Sequence, residues 1–241
     1  MLNGVMAEPK PRDLAVLLLT LTVVTGVVDA VSFLGLGRVF VANMTGNVVF
    51  LGFAAAGETT LSVLASSTAV LAFLAGALAG GRLARREDDY DALRQATAAQ
   101  AALIAAAVVL SATLGGATRL GGELLIVVLG LAMGLQNAAV RRIGAPDLTT
   151  TVLTMTLTGF AADSKAAGGP GSHPLRKVAA VGAMLVGAFA GGVLQLHVAM
   201  WAALAVALAL VLGVLAVLQR TRRRGADGDS ASTKDVKGTG E

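Results

Sequence analysis

The chain has 241 residues, of which 55% are apolar and only 14% are Asp, Glu, Lys or Arg, against about 25% charge in a typical soluble domain. Its net charge of +4 is gathered in clusters that flank apolar runs, so it reads as membrane orientation rather than nucleic-acid binding. The absence of cysteine removes disulfides, thiol catalysis and cysteine metal sites.

Taken in chain order, six runs approach the roughly 20 apolar residues that a helix needs to cross the hydrocarbon. They are 14–36, 61–81, 96–114, 123–140, 178–194 and 198–218. Two further stretches are shorter or more polar: 39–56, with Asn43, Thr45 and Asn47, and 148–162, with six threonines. The distribution of basic residues decides whether these two cross. If both fold back, Lys10, Arg12, Arg82, Arg85, Arg86, Arg94, Arg141, Arg142, Lys165, Arg176, Lys177 and the basic tail share one face, and only Arg38 and Arg119 lie opposite. Eight crossings would put Arg82, Arg85, Arg86, Arg94, Arg141 and Arg142 on the far side, against the positive-inside bias. The expectation is therefore an all-α polytopic bundle in a bacterial plasma (inner) membrane, with six full spans, two short polar half-span elements and both termini cytoplasmic. Residues 1–12 form a cytoplasmic N-terminal tail and 13–219 the transmembrane domain. Residues 220–241, charged and without an apolar run, read as a disordered cytoplasmic tail.

The chain also repeats itself. Gly26-Val-Val-Asp29-Ala30 matches Gly134-Leu-Gln-Asn137-Ala138 at an offset of 108, and Met44-Thr45-Gly46 resembles Leu157-Thr158-Gly159 at 113. The run from Ala72 to Leu83 matches that from Ala183 to Leu194 at 111, with eight identities in twelve positions. The halves, 14–116 and 122–219, would each hold three crossings and one short polar element. Three is odd, so the halves enter from opposite sides, as in the inverted 3+3 repeats of many secondary transporters.

Asp29 is the sharpest position. It lies within the first run, where an ionised side chain is expensive; it belongs to a polar site or lies near an interface beyond an early helix end. Its repeat counterpart Asn137 keeps the shape without the charge and stands beside Gln136. Asn43, Thr45 and Asn47 need hydrogen-bonding partners at membrane depth, and Gly46 permits close approach or a helix break. In the counterpart run, Thr154 and Thr158 are four apart and share a helical face, with Gly159 following. These threonines read equally as a polar cavity wall or as residues bonded to their own helix. Gly76, Gly80, Gly187 and Gly191 form two small-x-x-x-small faces suited to close helix packing. His173 and His197 lack ligand spacing, so no metal or other cofactor is expected. No zincin, nucleophile-elbow or phosphate-loop motif is present, and the chain is not expected to be an enzyme.

The run from Gly26 to Asn47, with Gly134-Leu-Gln-Asn-Ala138, Thr149-Thr-Thr-Val-Leu-Thr154 and Leu157-Thr-Gly159, closely resembles the signature of the YoaK-like family of bacterial membrane proteins. The resemblance covers roughly residues 12–218. It implies location and architecture but carries no biochemical activity. Its characteristic residues fall on Asp29, Asn43, Thr45, Gly46, Asn47, Gln136, Asn137, Thr158 and Gly159. The expected partners are the lipid bilayer and a small polar solute or ion, with Asp29 binding a coupling proton or cation; nucleic acid is not among them. The first rival is a membrane scaffold or signalling partner without transport, the second a membrane-embedded enzyme, disfavoured by the shortage of paired ionisable groups, and the oligomeric state stays open.

Overall fold

The positions of proline go far to explain why the apolar runs become uninterrupted helices. All five prolines lie outside the interiors of the apolar runs, and two of them, Pro11 and Pro174, begin helices, where the missing N–H costs nothing. The computed structural model describes residues 11–85, 89–114, 118–143, 157–158, 168 and 174–238. Its longer helices are α1 (Pro11–Gly35), α2 (Met44–Ala55), α3 (Val63–Ala84), α4 (Asp89–Thr113), α5 (Arg119–Arg142), α6 (Pro174–His197) and α7 (Met200–Gly238). Ser62 and Thr118 cap α3 and α5, each accepting through its hydroxyl from a backbone N–H three residues on, at 3.1 Å.

Six of these helices contain spans long and apolar enough to cross a membrane: Leu14–Gly35, Val63–Leu83, Tyr90–Thr113, Arg119–Arg142, Lys177–His197 and Met200–Arg222. They correspond to the six runs expected from the sequence. Helix α2 has 12 residues, about 18 Å of rise, against a hydrocarbon core of about 30 Å. It is the first of the two expected short elements. The second, 148–162, lies outside the described residues except for Leu157 and Thr158. The last helix does not stop at Arg220, where the sequence suggested that order ends; its backbone is helical to Gly238.

Close packing fixes the directions of the helices. Gly187 and Gly191 of α6 lie against the backbone of Val23 and Val27 of α1, so these two helices run parallel. Gly76 and Gly80 of α3 lie against Leu131 and Leu135 of α5, a second parallel pair. Helix α5 runs against α1. Its Gln136 lies by Leu21 and Thr25, and Ala139 and Val140 further along join Leu17 and Leu18 in one buried cluster. Helix α3 therefore also opposes α1, and the segment joining them, α2 included, enters and leaves at the same face. The same directions collect Arg82, Arg85, Arg94, Arg141, Arg142, Lys177, Arg220 and Arg222 at one end of the bundle, and leave Arg38 and Arg119 at the other. At the basic end, Asp91 near the start of α4 receives Arg94 at 3.2 Å and Arg222 of α7 at 3.7 Å.

The outer faces are apolar. Leu71, Leu74 and Leu78 on α3, and Leu185, Val186 and Phe189 on α6, are each more than half exposed. Such continuous apolar exposure suits lipid rather than water. Thr22, Thr25, Asp29, Ser32, Asn47, Gln100 and Gln136 turn inward instead.

Candidate functional site

The inward polar groups are ordered along one face of α1. Thr22, Thr25, Asp29 and Ser32 are all buried, and their separations of three, four and three place them on one stripe, about 15 Å long at the helical rise. Thr22, Thr25 and Ser32 donate to carbonyls of their own helix, those of Leu18, Leu21 and Asp29, at 3.0, 3.0 and 3.1 Å. That back-bonding satisfies the hydroxyl protons at membrane depth. Two clusters are built on this stripe.

The first lies toward the end of the bundle away from the basic residues. After α1 the chain turns through Gly37 (φ 89°) and Arg38 (φ 59°), both left-handed, and returns to Asp29. One carboxylate oxygen, Oδ1, accepts from the backbone N–H groups of Val41 and Ala42 at 3.1 and 2.9 Å. The other, Oδ2, accepts from the side-chain amide of Asn43. Asn47, fully buried, clips the same loop from α2: its Oδ1 accepts from the Phe40 N–H at 3.0 Å and its Nδ2 donates to the Phe40 carbonyl at 2.6 Å. The ring of Phe40 lies on Gly46, where any side chain would strike it, and stacks with Phe33 and Phe50 at centroid distances of 5.0 and 5.8 Å. Helix α2 then ends in a Schellman-type cap. Gly57 (φ 104°) donates to the Ala54 carbonyl and Glu58 to that of Phe53.

Outside the spans, Glu58 accepts at Oε1 from the Thr60 N–H at 2.8 Å. That bond, with a smaller contribution from the Arg38 charge, holds its carboxyl below the ordinary glutamate value.

The second cluster lies one turn along α1 toward the basic end. Gln136 of α5 donates through Nε2 to Thr25 Oγ1 at 3.1 Å and, at 3.5 Å, toward the Leu21 carbonyl. Its Oε1 accepts from Gln100 of α4. Gln100 is completely buried, and its own Oε1 has no partner. Thr97, three residues earlier on α4, is also buried and bonds back to Leu93 at 2.7 Å. Three helices thus meet through neutral amides and a hydroxyl near the middle of the bundle.

Among the residues singled out from the sequence, Asp29, Asn43, Gly46 and Asn47 come together in the first cluster. Thr45 is exposed on α2. Gln136 joins the second cluster, whereas its neighbour Asn137 donates to the Met133 carbonyl of its own helix at 2.9 Å. Thr158 is exposed, and Thr154 and Gly159 lie outside the described residues. Sequence reasoning missed Gln100 and Thr25. The signal for Gln100 was a large amide inside an apolar run, with Thr97 three residues before it.

The glycines pack as expected and gain partners. A Cβ at Gly187 would collide with the Val23 carbonyl, one at Gly191 with Val27, and one at Gly76 with the Leu131 carbonyl. Gly80 is closely approached by Leu135 and Ala138. Gly26 meets the backbone of Met184 and Ala188, and Gly134 that of Phe73 and Ala77.

Comparison with known proteins gives the family of the chain. The protein named UPF0700 transmembrane protein YoaK, from Bacillus subtilis (strain 168), is 31% identical over 150 residues, covering 61% of this chain and 65% of that relative. The match therefore spans a little under two thirds of the relative's own length. No solved structure matches. A family model described as "Protein of unknown function (DUF1275)" matches residues 17–217, a stretch that holds both clusters and reaches into all six spans, and the chain, a multi-pass protein of the bacterial plasma (inner) membrane, belongs to that family.

Proposed function

We propose that this protein is a secondary transporter of a small polar solute or ion, built as an inverted 3+3 repeat, with its basic end and both termini facing the cytoplasm. One observation carries the reading. If α1 corresponds to α5 and α3 to α6, then the pair α1 with α6 becomes the pair α5 with α3 when the halves are exchanged. Both pairs run parallel, both are sealed by glycine against backbone, and the two run in opposite directions. Gly26 corresponds to Gly134, Gly76 to Gly187 and Gly80 to Gly191, the positions matched in the sequence repeat. Inverted halves of this kind support alternating access, with the substrate held between them near the midplane. The polar stripe of α1 and the amides of α4 and α5 occupy that place, and no catalysis enters the reading.

The test is flux into proteoliposomes across a panel of ions and small metabolites. Gradient-driven uptake above protein-free vesicles is expected for at least one member, and none would remove the transport reading. Orientation is tested separately. The chain has no cysteine, so single cysteines at Arg38, Asp91 and Arg119 report sidedness directly. Labelling of position 91 from outside intact cells would reverse the topology.

One observation favours the scaffold reading: both carboxylate oxygens of Asp29 are engaged by the protein's own donors. A permanently held hairpin needs nothing more from Asp29.

A further inference from the structure

A buried amide with an unpartnered end is a demand for a ligand. Gln100 has no exposed surface, and its Nε2 is committed to Gln136 while its Oε1 meets nothing. Turning the amides over does not relieve this. If Gln100 were reversed, its Nε2 would become the orphan and its oxygen would face the Gln136 oxygen. Reversing both amides would again strand one end of Gln100. Leaving a buried amide atom orphaned is costly, and any small molecule that brings a hydrogen-bonding group relieves that cost.

The character of that molecule follows from its surroundings. The groups bonded together here are two carboxamides, the Thr25 hydroxyl and the Leu21 carbonyl, all uncharged. The nearest carboxylate along α1, Asp29, is one turn away and holds three donors of its own hairpin. An ion at this junction would lack a countercharge at membrane depth, which is costly. A neutral donor meets an acceptor that is already in place. The position also fits: Thr25 is midway along the span Leu14–Gly35, and Gln100 is near the middle of Tyr90–Thr113.

We propose that the junction of Thr25, Gln100 and Gln136 is a midplane binding site for a small uncharged hydrogen-bonding solute, of the chemistry of water, urea or glycerol. The proposal rests on the transport reading above and names the substrate class for it.

The full-length protein is reconstituted, and vesicle volume is followed by light scattering under osmotic gradients of sucrose, urea and glycerol. Sodium, potassium and proton fluxes are followed in parallel with entrapped dyes. Wild-type vesicles are expected to pass at least one neutral probe faster than protein-free vesicles. Gln100→Met, which keeps the length and removes the amide, should cut that excess by about three- to tenfold, the value of one modest hydrogen bond. Each variant is first checked for a single size-exclusion peak and a cooperative melt. If Gln100→Met fails that check, Gln136→Met and Thr25→Val serve in its place and carry the same expectation.

Neutral flux that is unchanged in a folded variant would overturn the site. Ion flux without neutral flux would overturn the uncharged class and leave the transport reading standing. No flux of either kind would overturn both.

Discussion

Asp29 and Gln100 are both polar groups buried at membrane depth, one turn of α1 apart in level, and the protein treats them oppositely. Around Asp29 every acceptor position that matters is filled by the chain itself, with two backbone N–H groups and an amide converging on one carboxylate. Around Gln100 one side of the amide is filled and the other is bare. A fully satisfied buried network rigidifies a structure, whereas a partly satisfied one is unstable until something completes it. The difference sets a carboxylate filled by its own hairpin against an amide that the proposed site would complete.

The largest expected effect tests the first half of that contrast. Asp29→Ala strips three donors of their acceptor and should lower stability by about 3–5 kcal/mol, read as a lower melting temperature in detergent. From the sequence alone Asp29→Asn conserves shape and should be nearly silent. The structure changes that expectation: an Asn at position 29 keeps one oxygen for Val41 and Ala42 but turns an NH2 toward the amide of Asn43. The cost should be about 1–2 kcal/mol, recovered in part if Asn43 reverses. Equal melts for Asp29→Ala and wild type would show that the hairpin does not depend on this carboxylate.

The contrast presumes a rigid frame, and the next effect tests it. Gly76→Ala and Gly187→Ala each drive a methyl group into a carbonyl of the facing helix and should cost about 1–3 kcal/mol. Gly182→Ala, where nothing lies within 4 Å, should be neutral or slightly stabilising. If the halves are true repeats, the first two costs should agree closely. A large cost at one and none at the other would break the equivalence.

A smaller effect separates the two glutamines. Gln136→Met removes the centre of the network and leaves Gln100 with no partner at either end, at about 1–3 kcal/mol. Gln100→Met loses the same bond to Gln136 but also removes the orphaned oxygen, so its net effect should lie within about 1 kcal/mol of zero. Thermal melts of the two variants side by side give the order, and a larger loss at Gln100 would mean that its oxygen is satisfied in the apo protein.

Much of the frame was legible because it depends on composition. The six apolar runs, the basic clustering and the small-residue faces are local signals, and each survives into the helices and their packing. The shortness of 39–56 was legible too, and α2 realises it. The sites were less so, since they depend on pairings across the bundle. Asn47 was suspect as a buried amide, but its clip on Phe40 needs the left-handed turn at Gly37 and Arg38, and no hydrophobic pattern announces a left-handed arginine. Thr25 was invisible because a threonine in a membrane helix satisfies its proton on its own carbonyl and shows no need of a partner. Asn137 shows the limit of repeat logic. It matches Asp29 in sequence, yet its amide donates to its own helix at Met133.

The smallest effect lies outside the bilayer, where the contrast between satisfied and unsatisfied groups should almost vanish because water completes any vacancy. Glu58 is fully exposed and accepts from Thr60, with Arg38 adding attraction. Its carboxyl is held below the ordinary value of 4.5 in the folded protein. A carboxyl depressed on folding contributes stability above its unfolded pKa and loses it as pH falls through the folded one. The contribution should therefore be complete near neutrality and decline only below about pH 4.5. Glu58→Gln should melt slightly below wild type at neutral pH, and the gap should close in acid. Salt should remove the part owed to Arg38, since exposed charges are screened, and leave the part owed to the Thr60 bond. Melting curves from about pH 6 to about pH 3 measure the gap. A gap that widens as the pH falls would reverse the sign and detach Glu58 from the end of the hairpin.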